Sequence, residues 1–250
     1  LDGKQDNENN RIYISRSDSF TAEDARQNPE LISNTIHSNG IMNNKPEASR
    51  NAITQSGGFN EDNSITIMYD YTGKGQQDNP GFVNTLKGVT HDLFEVGINQ
   101  FGGGLVITSG TLQDRELINI ATDNAKANGK QILLTGHSAG GRRNYQNLFG
   151  ANKGQYLNAD GNSVLNVQFN GAPVNNKDAT WAANYSGANL IGVDNNNGDF
   201  VGNVLGDNGG NGQMIWSTAP GFFILPTQIS PHSNYYCNHS LCNNYQQQEK

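Results

Sequence analysis

A serine flanked by glycines, in the run "GHSAGG" from Gly136 to Gly141, is the residue of this chain best suited by type and spacing to do chemistry. A serine hydroxyl is a poor nucleophile at neutral pH. To attack a carbonyl it needs a base that takes its proton and donors that hold the resulting oxyanion. Ser138 follows the apolar "QILLT" and precedes the polar, helix-permissive "AGGRRNYQ". A sharp strand-to-helix turn points such a side chain out of the fold and aims the first N–H groups of the helix at the same spot. Gly136 and Gly140 leave room for that turn and for an unfavourable backbone angle at Ser138. The chemistry implied is acyl transfer; the bland alternative is a Gly-Ser turn with none.

A second group of reactive side chains, Cys237 and Cys242 with His239 between them, lies in "CNHSLC". A zinc site normally takes four ligands, and no second cluster accompanies this one. A small disulfide loop is therefore expected, suited to an oxidising space, with two free thiols as the alternative.

The elements that must position Ser138 read as strands alternating with helices. A strand over Asn34–Ile41 runs into a glycine turn, and a helix opened by Pro46 follows over Lys45–Gln55. "NSITIMYDYTG" is a second strand ending at Gly73. Phe82, Leu86, Val89 and Leu93 recur at helical spacing. The helix over Asp114–Lys130 carries Leu117, Ile118, Ala121 and Ala125 on one face, with Gly129 as its stop. After the serine's strand and helix come strands in "VLNVQFNGAPV" and "ANLIGV", then a long Asn/Gly-rich loop. This alternation calls for an α/β fold with a mostly parallel central sheet covered by helices on both faces. Residues 1–10 read as linker and residues 11–250 as a single domain.

With its strand and helix around it, "GHSAGG" resembles the nucleophile elbow of the α/β-hydrolase fold, the fold of lipases and esterases. The resemblance implies a chain order: the serine first, an acid just past a later strand, a histidine last. Asp178, Asp194, Asp199 and Asp207 lie downstream of the serine, and of these Asp178 precedes the last predicted strand and comes too early. Asp199, opening "DFV", is similar to the acid position of lipase-like members and is preferred over Asp194, which ends the strand. Both are otherwise solvated loop acids, and "DNNNGD" breaks the spacing of a calcium loop. His37, His91 and His137 precede the serine and are excluded by that order. His232 in "ISPHSNYYC" is the expected base, with His239 in reserve. The oxyanion hole is expected from the N–H of Ala139 and that of Ile41 in "HSNGIMNN", with Gly73 as the alternative to Ile41.

Sixteen basic against twenty-three acidic residues leave a net charge of −7, which argues against a nucleic-acid partner. No apolar stretch approaches the roughly 20 residues of a bilayer span, so neither a transmembrane segment nor a secretion signal is expected. The start at Leu1 reads as that of a fragment or processed product. The segment "SNGIMNNKPEASRNAITQ" resembles lipase-like α/β-hydrolase modules at the C-termini of very large bacterial surface and secreted proteins, and "NENN" is loosely similar to the border motif that precedes them. Such modules act as toxins in contact-dependent inhibition and related systems and are neutralised by a cognate immunity protein.

The resemblance thus implies a secreted or cell-surface serine ester hydrolase, a lipase or phospholipase, requiring no metal and no organic cofactor. An acyl pocket in "PGFFILP" would serve a lipid or other ester substrate at a membrane surface; a buried core strand is the plainer reading. An amidase, peptidase or acyltransferase on the same triad, and a non-catalytic adhesion module, are the rivals. Arg142 and Arg143 stand in the first turns of the elbow helix, where the fold usually buries small residues. At least one of them must meet a polar cavity, a carboxylate or the substrate.

Overall fold

The computed structural model describes residues 13–15, 18–39, 51–54, 64–69 and 109–195. The strands are β1 (Tyr13–Ser15), β2 (Asp18–Phe20), β3 (Thr35–Ser38), β4 (Ile65–Met68), β5 (Ile132–His137), β6 (Leu165–Asn170) and β7 (Asn189–Asp194). The helices are α1 (Ala22–Gln27), α2 (Ser109–Asn128), α3 (Ala139–Phe149) and α4 (Asn176–Ser186), with a 3-10 turn at Pro29–Leu31 and a helical stretch at 51–54. The sequence-expected segments 1–10, 45–50 and 81–101 lie outside the described residues.

The strands form one seven-stranded sheet in the order β2-β1-β4-β3-β5-β6-β7. From β4 to β7 every pairing is parallel; β1 and β2 extend the sheet as an antiparallel hairpin edge. All six residues of β5 and all six of β6 are buried, as expected for central parallel strands shielded on both faces. From β3 the chain steps to β4 on one side, whereas from β5 it steps to β6 on the other. Right-handed crossovers then require the β3–β4 connection and the β5–β6 connection to lie on opposite faces. The packing agrees: Ala52 of the 51–54 stretch clusters with Ile65 and Ile67, while α1 to α4 share the main core with Ile36, Leu134, Val167 and Phe169.

Local signals explain where these helices begin and end. Asn175 caps α4 by accepting the Asp178 N–H at 2.7 Å, and Gly187 closes it in the left-handed region at φ +79°. Alanines at 179, 182 and 183 let α4 lie close against the sheet. Asn176–Ser186 carries little helical signal in the sequence, because its apolar positions are small and its large aromatics point outward. The sequence pattern places the start of α2 at Asp114, whereas the helix begins at Ser109. Gly129, at φ +64°, ends α2 as expected, with the Lys130 N–H donating back to the Ala125 carbonyl.

Candidate active site

The turn between β5 and α3 carries Ser138 at φ 54°, ψ −125°. It is the one non-glycine residue with positive φ among those described. Such a conformation costs on the order of 1–3 kcal/mol and persists only where the surroundings enforce it. Here the Ser138 N–H donates to the Asn170 carbonyl at 3.0 Å, and its own carbonyl accepts the Arg142 N–H to open the helix. The hydroxyl takes no part in capping, and among the described residues Oγ has no hydrogen-bond partner although it is buried. Ala139, the first residue of α3, has an N–H with no acceptor inside the helix, which suits it to an oxyanion.

The glycines around Ser138 serve close packing. A Cβ at Gly136 would fall 2.6 Å from Gly141 Cα and from Asn144 Nδ2, beneath the helix. One at Gly140 would collide with the Ser38 and Asn39 carbonyls at the end of β3. The helix therefore starts in contact with both strands beneath it. Asn144, fully buried, completes the junction: it accepts from Ser38 Oγ at 2.6 Å and donates to the Thr135 carbonyl at 3.0 Å.

β3 and β5 are neighbours whose chains leave in opposite directions, so the crevice at their C-terminal ends is a topological switch point, where open α/β sheets bind ligands. Ser138 follows β5 and Asn39 follows β3. An open polar groove of about 510 Å³, lined by residues including Lys130, Gln131, Asn166 and Asn189, lies at the other edge, where β5 and β7 begin.

Asp194 is the last residue of β7, paired with Asn170 of β6, which is in turn paired with His137. At about 4.8 Å per strand, two strand steps put it about 10 Å from β5 along the same edge. Its Oδ2 accepts from Gln168 Nε2 at 2.7 Å, and the same amide reaches Asn170 Oδ1 at 3.1 Å. Neither Gln168 nor Asn170 was singled out from the sequence, although the alternation Asn166-Gln168-Asn170 would have placed three amides on one face of the strand. Asp199, His232, His239, Ile41 and Gly73 lie outside the described residues, as do Cys237 and Cys242.

His37 and His137 are buried on the sheet. His37 Nδ1 contacts Thr135 Oγ1 at 2.8 Å, and burial pulls its pKa down to about 3, so it is neutral. The two arginines of α3 point to different neighbours. Arg143 reaches the Asn39 carbonyl at 3.1 Å and the buried Asp114 at 4.0 Å. Arg142 lies 4.9 Å over the Tyr145 ring and reaches the Pro173 carbonyl at 3.4 Å. Burial lowers the Arg142 pKa, opposed by the nearby Tyr145 and Asp178.

Among the described residues no helix is long and apolar enough to cross a membrane. No group of three or more His, Cys, Asp or Glu side chains that could hold a metal occurs among them. Comparison with family models, with curated proteins and with solved structures finds no match to this chain.

Proposed function

We propose that this protein is a serine ester hydrolase built on the α/β-hydrolase fold, acting through an acyl-enzyme. The observation that carries the reading is the conformation of Ser138: a strained backbone, a hydroxyl left out of capping, and a helix N-terminus beside it. The strand order and the position of this turn at the switch point support it. In the proposed mechanism Ser138 Oγ attacks the acyl carbonyl while His232 takes its proton. The N–H groups of Ala139 and Ile41 hold the oxyanion, and Asp199 orients the imidazole. Collapse expels the alcohol, protonated by His232; water, deprotonated by His232, then releases the acid and restores the serine.

A second assignment of the acid is favoured by one observation. Asp194 stands at the same edge as the elbow, with one carboxylate oxygen fixed by Gln168. Asp194→Asn and Asp199→Asn separate the two: the true acid loses activity by about 10⁴-fold and the other stays near wild type.

The acyl donor is proposed to be a lipid, with "PGFFILP" as its pocket wall, and the domain to be a toxic module of a larger secreted bacterial protein with a cognate immunity partner. The test is release of fatty acid from mixed phospholipid vesicles, beside cleavage of short-chain nitrophenyl esters, by wild type and Ser138→Ala. Fatty acid released by the wild type alone supports the lipase reading. Cleavage of nitrophenyl esters alone removes the lipid. A folded wild type inert on both hands the site to amide or acyl-transfer chemistry, or to adhesion.

A further inference from the structure

We infer that the arginine pair of α3 braces the two loops that flank the elbow, with Arg143 acting as a positioning residue for the backbone at Asn39. This rests on the serine-hydrolase reading. Arg143 and Arg142 are consecutive, and each donates to the main-chain carbonyl of a different loop: Asn39 just after β3, and Pro173 just after β6. Those loops border β5 on its two sides, since β3 and β6 are its neighbours in the sheet.

The Arg143 side of the brace is anchored in the core. Its Nε lies 4.0 Å from Oδ2 of Asp114, a carboxylate of α2 with no exposed surface, and the Tyr13 hydroxyl reaches the other oxygen at 3.4 Å. At 4.0 Å Arg143 Nε and Asp114 Oδ2 form an ion pair without a hydrogen bond between them, so the carboxylate, held by Tyr13, draws the guanidinium toward α2 by charge. The planar fork of arginine lets one edge face the carboxylate while another nitrogen holds a carbonyl; lysine, a point charge on a flexible stem, lacks that geometry. Asn39 is thereby gripped three ways: by Arg143 at its carbonyl, by the close approach of Gly140, and through Ser38, whose hydroxyl donates to Asn144. Two residues further along the chain comes Ile41, the proposed second oxyanion donor.

The chemical consequence is specific. An oxyanion donor works only when it is held at hydrogen-bonding distance from the place where negative charge develops. A remote change that shifts it by about 1 Å costs up to roughly 100-fold in rate. The charge of Arg143 faces Asp114, which turns this arginine toward the core rather than toward an anionic head group.

The experiment compares wild type, Arg143→Lys and the neutral pair Asp114→Asn/Arg143→Gln, which leaves no unpaired buried charge if the lysine variant does not fold. Three quantities are read: kcat and KM on a nitrophenyl ester, and hydrogen exchange of the amides from Ile36 to Asn39. Both variants are expected to lose about 10- to 100-fold in kcat with KM within about 2-fold, and to exchange faster near Asn39. A kcat per folded molecule equal to wild type, or unchanged exchange near Asn39, overturns the brace. Absence of wild-type turnover that Ser138→Ala would abolish is instead the failure of the hydrolase reading, and the exchange measurement still decides whether Arg143 holds Asn39.

Discussion

The two faces of β5 and β6 are equally hidden from water and chemically opposite. Toward α2, α3 and α4 they present Ile132, Leu134, Leu165, Val167 and Phe169. On the other face, beyond the apolar Leu133, stand Thr135, His137, Asn166, Gln168 and Asn170, extended by His37 across β3 and Asp194 across β7. The first set is held by apolar burial, worth about 1.5–3 kcal/mol for each large side chain. The second is held by hydrogen bonds: His37 with Thr135, Asn189 with Asn166, and Gln168 with Asn170 and Asp194. A buried hydrogen bond adds only about 1 kcal/mol net, yet an orphaned partner costs about 1–3 kcal/mol, so this face gains orientation more than stability. The contrast shows where the fold can be changed: the helix side stabilises the sheet, and the amide side fixes the directions of Gln168, Asn170 and Asp194 at the edge where the site is proposed.

Breaking the apolar face should be costliest. Phe169→Ala, at a fully buried position, is expected to lower unfolding free energy by about 3–5 kcal/mol in urea titration, with activity per folded molecule kept. On the polar face, His37 should make stability depend on pH. Its folded pKa, about 3, lies below the unfolded value of 6.5, so between these limits the unfolded chain binds a proton that the folded chain refuses. That contribution is complete above pH 6.5 and is lost as pH falls, by about 2 kcal/mol between pH 7 and pH 5. His37→Gln should remove this slope, read as the difference between denaturation midpoints at the two pH values.

Gln168→Met sharpens the contrast. It takes a donor from Asp194 and Asn170 and should cost about 1–2 kcal/mol in stability, while lowering kcat further than an equally destabilising change on the helix side. The smallest effect is expected at Asn175→Ala, which removes the cap of α4 at about 1 kcal/mol and leaves both kcat and KM unchanged.

The parallel architecture was legible in the sequence because apolar runs of strand length alternate with a helical pattern and glycine stops, as at Ile132–His137 and Gly129. The turn at Ser138 was legible for the same reason: its glycines serve contacts within a few residues and with the adjacent strand. The hairpin of β1 and β2 was not, since three-residue strands carry too little pattern to detect. α4 announced itself only through its caps, Asn175 and Gly187. The two sides of β6 look alike in burial and differ only in the chemistry of alternate residues, which a reading for apolar runs passes over. The partners of Arg143 were beyond reach: Asn39 lies 104 residues earlier, and only the pairing of β3 with β5 brings it to the helix.

The proposed hydrolase chemistry requires Ser138 to be an activated nucleophile. Its most direct test is to treat the folded protein with a fluorophosphonate and measure intact mass and the modified peptide. The account predicts one stoichiometric adduct on Ser138, absent from Ser138→Ala and formed slowly by His232→Ala. A folded protein that stays unmodified, or an adduct that survives Ser138→Ala, would contradict it.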